Sequence, residues 1–194
     1  MKHLALAALQ WTTLIILRLA LILLGIPIVA LAIPFRRAAV SASGGREIVN
    51  LPRWAWLWGN DFDGLLGDKR GWWADNTPFG VAVDSYLAMW WWAAVRNPVN
   101  NLRFVPGITC PVSDCTVEYR GNYVVEDKPG QGGFQFVIAR KQSSIWYGLY
   151  WVHEWSATRA FVVRLGYKIK PSHALNPDEP PKGMTFKVNP WKGI

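Results

Sequence analysis

The chain has 194 residues, 51% of them apolar and 18% charged, with 13 tryptophans and a formal net charge of +8. That length suits one domain of ordinary size with appendages and can bury a core without staples. The aromatic content and low charge density exclude an intrinsically disordered chain.

Residues 14–35, LIILRLALILLGIPIVALAIPF, contain one charge. A helix needs about 20 residues at 1.5 Å each to cross a ~30 Å hydrocarbon layer, so this run predicts a single transmembrane helix. Arg18 lies near its N-terminal end, where the stem of the side chain can snorkel to the headgroups. Gly25 and Pro27 predict a kink. A cleaved signal peptide is the rival reading, since Ala30-Leu31-Ala32 has the small-x-small form, but the run is longer than the usual apolar core and carries an arginine. Lys2 and Arg18 flank one side, and Arg36, Arg37, Arg46 and Arg53 the other, which predicts a single-pass protein with its C-terminal domain in the cytoplasm. Beyond residue 35 there are 19 bases against 13 acids, a balance that suits anionic lipid or nucleic acid.

Residues 1–37 therefore form the anchor, and 38–51, opening with AAVSASGG, a flexible joint. A domain over 52–170 starts with a tryptophan-rich loop. Within it, Asn60, Asp61, Asp63 and Asp68 are candidate oxygen ligands for a divalent cation. An EF-hand register fails, because placing Asp63-Gly64 at the fifth and sixth positions puts Arg70 where the twelfth-position glutamate belongs. The competing reading is a rigid turn in which Asn60 and Asp63 bond their own backbone and the glycines take positive φ.

Residues 81–95, VAVDSYLAMWWWAAV, predict one apolar helix, closed by Asn97-Pro98. Trp90, Trp91 and Trp92 point about 100° apart on such a helix, so one of them leaves the core, and with Arg36 and Arg37 they are candidate membrane-interface residues. Arg96, Asn97, Asn101 and Arg103 follow at once and could grip an anion or a partner, or could cap the helix. Cys110 and Cys115 form a disulfide loop in an oxidising compartment and are free thiols in the cytoplasm.

The period then changes to two. Residues 134–139, 147–154 and 161–168 alternate as three strands of an antiparallel meander, and a hairpin with Arg120-Gly121-Asn122 as its turn is expected between 117–119 and 123–125. His153 and Glu154, adjacent on a strand, face opposite ways and make no acid–base pair. Residues 171–194, rich in proline, predict an extended or disordered tail. The fold class is α+β. No GxGxxG, GxxxxGK[ST] or GxSxG string occurs, and no cofactor motif is present beyond the candidate cation ligands.

The strings Trp58-Gly59-Asn60-Asp61 with Asp63-Gly64, Arg96-Asn97-Pro98 with Asn101-Leu102-Arg103, and Gly166-Tyr167-Lys168-Ile169 resemble those of uncharacterised proteins of tailed bacteriophages. The resemblance covers roughly residues 50–170 and implies a phage product in the inner membrane of the host; it carries over no catalytic residue. The expected function is a membrane-anchored accessory protein, without catalysis, whose partners are the lipid bilayer and a host or phage membrane protein. Two alternatives are a metal-dependent hydrolase acting at the membrane and a membrane-tethered nucleic-acid-binding protein, the latter resting on charge and aromatics alone.

Overall fold

The computed structural model describes residues 2–67, 72–105 and 108–194. Two compact units make up the chain, one of residues 16–104 and one of residues 1–15 with 105–194. The fold is α+β: a long apolar N-terminal helix, then short helices and antiparallel sheets.

Helix α1 (Lys2–Ala32) begins twelve residues earlier than the apolar run. Residues 2–13 are rich in alanine and leucine, good helix formers that extend the helix beyond its uncharged stretch. A 3-10 turn, Ile33–Phe35, follows where Pro34 supplies no N–H to the ladder. α1 is long and apolar enough to cross a membrane.

In the unit of residues 16–104, the stretch expected as a flexible joint is a hairpin. Strand β1 (Arg37–Val40) pairs with β2 (Glu47–Asn50) from Arg37↔Asn50 to Val40↔Glu47. Gly44 and Gly45, both at positive φ, make its turn, so these residues serve geometry rather than looseness. Arg53–Trp58 winds as merged 3-10 turns, and α2 (Trp72–Asp75) follows.

The expected helix over 81–95 begins only at α3 (Tyr86–Trp90), where the Ala88 N–H donates to the Ser85 side chain at 3.3 Å. Val81 and Val83 pack instead against the buried Trp73, Ala88 and Trp92. From Trp91 to Arg96 the turns are π-helical, ending in an Asn97 N–H bond to the Trp92 carbonyl at 2.7 Å.

The core of this unit gathers Val29 and Ile33 from the first helix and its end with Leu51, Trp58, Leu65 and Met89. Each fully buried aliphatic side chain contributes about 1.5–3 kcal/mol. Gly25 permits one close approach: a Cβ there would stand 2.4 Å from the Trp58 indole nitrogen, which donates to the Leu21 carbonyl at 3.0 Å.

The other unit is a five-stranded antiparallel meander, β3 (Thr116–Gly121), β4 (Gly133–Lys141), β5 (Ser144–Ser156), β6 (Arg159–Tyr167) and β7 (Met184–Gly193), paired in chain order. β4, β5 and β6 are the three strands that the alternation predicts. The expected hairpin at 120–122 is absent: β3 pairs with β4, Val117 opposite Ala139, and Asn122 is held by Phe134 instead of turning back. The tail is ordered as well, with a 3-10 turn at Pro171–Leu175 and then β7 paired along β6.

One face of this sheet buries Val137, Ala139, Trp146, Tyr150 and Val152 beneath Cys110, Val112, Val125 and Ile169. The opposite face places Phe136, Ile138 and Tyr147 against Ala7 and Trp11 of α1.

Candidate functional site

Two of the three strings that carry the resemblance meet inside the unit of residues 16–104. The end of β2 supplies Asn50, whose Oδ1 accepts from the backbone N–H groups of Leu51 and Asn60, both at 2.9 Å. Its Nδ2 donates to Asp61 Oδ1. A second donor reaches that oxygen from Asn101 Nδ2 at 3.0 Å, and the Trp56 indole donates to Oδ2 at 3.0 Å. Asn101 closes the circle: its Oδ1 accepts from the Asp61 N–H at 3.0 Å and its Nδ2 also reaches the Trp56 carbonyl at 2.8 Å.

Asn60 makes the second tie. Its Oδ1 accepts from the Phe62 and Asp63 N–H groups, each at 3.2 Å, and from Asn100 Nδ2 at 2.7 Å. That is an Asx turn with a long-range third donor. The glycines of the first motif are fixed by the same geometry. A Cβ on Gly59 would lie 2.7 Å from Asn50 Oδ1, and one on Gly64, at φ +71°, would lie 2.6 Å from the Val49 carbonyl. Asn60, Asn100 and Asn101 are buried, and the Nδ2 of Asn60 has no hydrogen-bond partner.

Asp63 points away from this knot and pairs with Arg46 at 3.6 Å. Arg103 sits 4.5 Å over the Phe62 ring and donates to the Asn100 carbonyl at 3.0 Å. Burial lowers the pKa of its guanidinium, opposed by the Asp63 carboxylate. The structure thus brings Asn60, Asp61, Asn101 and Arg103 together and leaves Asp63 at the margin. Asp68 lies outside the described residues. Arg96 is exposed and Asn97 half-buried, one turn before the knot.

Chemically the arrangement is a tie. An ionised carboxylate offers about four acceptor positions, and three donors take all but one of those of Asp61. Among the described residues no group of three or more His, Cys, Asp or Glu is placed to hold a metal ion. The sequence reading missed Asn50 and Trp56, and Asn50 gives no local sign of its role.

The three tryptophans part company. Trp92 is in the core, donating to the Gly64 carbonyl at 3.0 Å and packing 4.8 Å from Trp73. Trp90 is half-buried and donates to the Ile26 carbonyl at 3.0 Å, and Trp91 is half-buried beside Phe79. Arg36 and Arg37 are exposed at the end of α1. On the sheet, Glu154 accepts from the Gly130 and Gly132 N–H groups while His153 lies on the other face beside Trp151. Cys110 and Cys115 are free thiols with sulfurs 4.0 Å apart, both pushed up in pKa by burial.

The chain belongs to the family of unknown function DUF7338, which it matches over residues 2–194. No curated protein and no solved structure is significantly similar to it.

Proposed function

From membership of a family that brings no activity with it, we propose that the protein is a membrane-anchored accessory protein of a tailed bacteriophage. It is held at the inner membrane of the host by α1, with the body of the chain in the cytoplasm, and it binds a lipid surface or a host envelope protein without catalysing a reaction. The observation that carries this reading is the distribution of side chains on α1. Leu4, Leu9, Ile16, Leu19, Leu23 and Leu31 are exposed, while His3, Gln10 and Trp11 turn their polar atoms into the protein. A helix facing water has the reverse arrangement, and one facing hydrocarbon has this one.

Exposed Phe35 and Trp54, next in sequence to Arg36 and Arg53, add the aromatic and basic pairing favoured at headgroups. The phage origin rests on the resemblance of the two asparagine-rich motifs and of Gly166-Tyr167-Lys168-Ile169. Those motifs form a tie rather than an open cleft, which favours a binding protein over a hydrolase.

Expression of the full chain in a bacterium, followed by sedimentation of membranes and a carbonate wash, tests the anchor. Retention in the washed pellet supports it; release into the soluble fraction in folded form overturns it.

A further inference from the structure

The first turns of α1 are held by the sheet within a single compact unit. β6 leaves β5 at the Gly148↔Gly166 pair, so backbone groups of β5 before Gly148 lack a partner strand on that side. Side chains of α1 take the place of that strand. Gln10 Nε2 donates to the Ile145 carbonyl and Gln10 Oε1 accepts from the Tyr147 N–H, both at 3.0 Å. Trp11 Nε1 donates to the Tyr147 carbonyl at 3.1 Å. Polar atoms buried this way are costly to separate, so residues 3–14 stay with the sheet.

A crossing between residues 16 and 35 would leave residues 3–14 on the side opposite Arg36. The chain would then have to cross again before β4 to meet them. Among the described residues α1 is the one helix long and apolar enough to cross. A single crossing and the bonds of Gln10 and Trp11 are therefore incompatible.

A second observation lies on the same sheet face. Beyond the part covered by Ala7 and Trp11, it carries the cross-strand row Phe134↔Trp151↔Val163↔Val188, followed by Trp155 and Trp191 in edge-to-face contact at 5.2 Å. Phe134, Trp151, Trp155, Phe186, Val188 and Trp191 are between 41% and 68% exposed, too much apolar area for a water-facing sheet. Among the described residues no carboxylate stands on this uncovered half. Bases edge it instead: Arg120, opposite Phe136 on the outer strand, and Arg159 at the end that bears Trp191.

We propose that α1 lies in the plane of the bilayer, sunk in one leaflet, and that the uncovered aromatic half of the sheet face rests beside it among anionic headgroups. Both ends of α1 then face the same aqueous compartment. The inference rests on the membrane reading above and replaces the single crossing expected from sequence. Lipid is the occupant that fits: indoles favour the headgroup layer, the flanking bases complement anionic lipid, and the helix covering the adjoining half exposes Leu4 and Leu9.

The test uses the full chain in bacterial spheroplasts with Lys2→Cys and Ala38→Cys variants and a membrane-impermeant maleimide, the wild type giving the background of the two native thiols. In-plane seating makes both positions react under the same condition, before lysis or only after it. Reaction of one before lysis and the other only after is a crossing and overturns the proposal. Recovery of the protein outside the membrane pellet overturns the anchor itself, a separate result.

For the sheet face, Val188→Cys carries a fluorophore in phosphatidylglycerol vesicles containing nitroxide lipid, with exposed Leu175→Cys as the aqueous control. Quenching at 188 and not at 175, weakened when Arg120→Gln and Arg159→Gln are combined, supports the headgroup seat. Equal quenching at both sites, or pyrene excimers at 188 from a second copy, overturns it.

Discussion

Asn60 and Asn100, forty positions apart, share a buried hydrogen bond of 2.7 Å, and their neighbours Asp61 and Asn101 are joined by two more at 3.0 Å. The two motifs that look most like a reaction centre are thus each other's partners. Asn101→Ala removes the acceptor of the Asp61 N–H and a donor to the Trp56 carbonyl in a site that is 0% exposed. Each orphaned buried group costs about 1–3 kcal/mol, so a loss of about 2–4 kcal/mol is expected in denaturant unfolding of the detergent-solubilised chain.

Divalent cations should leave the thermal midpoint where it is. Ca²⁺, Mg²⁺ or Mn²⁺ would have to displace the amide and indole donors from Asp61 and the arginine from Asp63 before reaching oxygen. A saturable rise in midpoint that Asp63→Asn abolishes would reinstate the loop as a metal site.

Acid should weaken the sheet unit through Asp127. Burial alone would raise its carboxyl, but the Tyr150 hydroxyl bond at 2.6 Å and the Lys187 ammonium at 3.2 Å prevail and bring it to about 2 from 3.8. A carboxyl depressed in the folded state adds stability that is complete above its unfolded pKa and disappears as pH falls through the folded one. The window here runs from about pH 4 down to about pH 2, and the amount is up to about 2 kcal/mol. Asp127→Asn should lower stability by that amount at neutral pH and flatten the acid limb of a stability-versus-pH curve. An unchanged acid limb would remove Asp127 from the account.

Gly166→Ala should loosen α1 from the sheet. Gly166 has φ +74°, and a Cβ there would stand 2.1 Å from the Tyr147 carbonyl and 2.2 Å from the Trp11 indole nitrogen. Both contacts belong to the bond by which Trp11 holds β5. A cost of about 2–4 kcal/mol follows from strain and displacement together. Amide exchange should show it first in residues 3–14, and uniform exchange across the chain would refute the local origin.

Both thiols should resist alkylation while the chain is folded, because burial raises their pKa and so depletes the thiolate. Iodoacetamide at pH 8 should modify the buried Cys110 only after denaturation, and the half-buried Cys115 more slowly than an exposed thiol. Fast native modification of Cys115 would contradict the packing described.

Much of the fold was legible where periodicity is strong. The alternation of Phe134, Phe136 and Ile138, and of Tyr147, Leu149 and Trp151, marks β4 and β5 directly, and the uncharged run within α1 is unmistakable. β7 was missed although Phe186-Lys187-Val188-Asn189 alternates, because Pro190 and the prolines before it read as a strap. An outer strand tolerates proline at a bulge, and the β6–β7 register shifts at Ala160/Val162, opposite that proline. The hairpin β1–β2 was hidden by small residues that also suit a linker. As for the site, the acids and asparagines stood out by type, but whether they face a ligand or one another depends on Asn50 and Trp56, and no local pattern points to those.

The helix that Gln10 fastens to Ile145 and Tyr147 leaves the ribosome long before its fasteners. At 5–20 residues per second, the 135 residues between Gln10 and Ile145 take roughly 7–27 s to synthesise. For that interval the first turns of the helix, residues 3–14, have no sheet to cover them, and a bilayer or a nascent-chain receptor is the available shelter. Delivery to the membrane therefore comes before folding of the sheet, and a chain whose N-terminus is delayed or masked should aggregate rather than dock late.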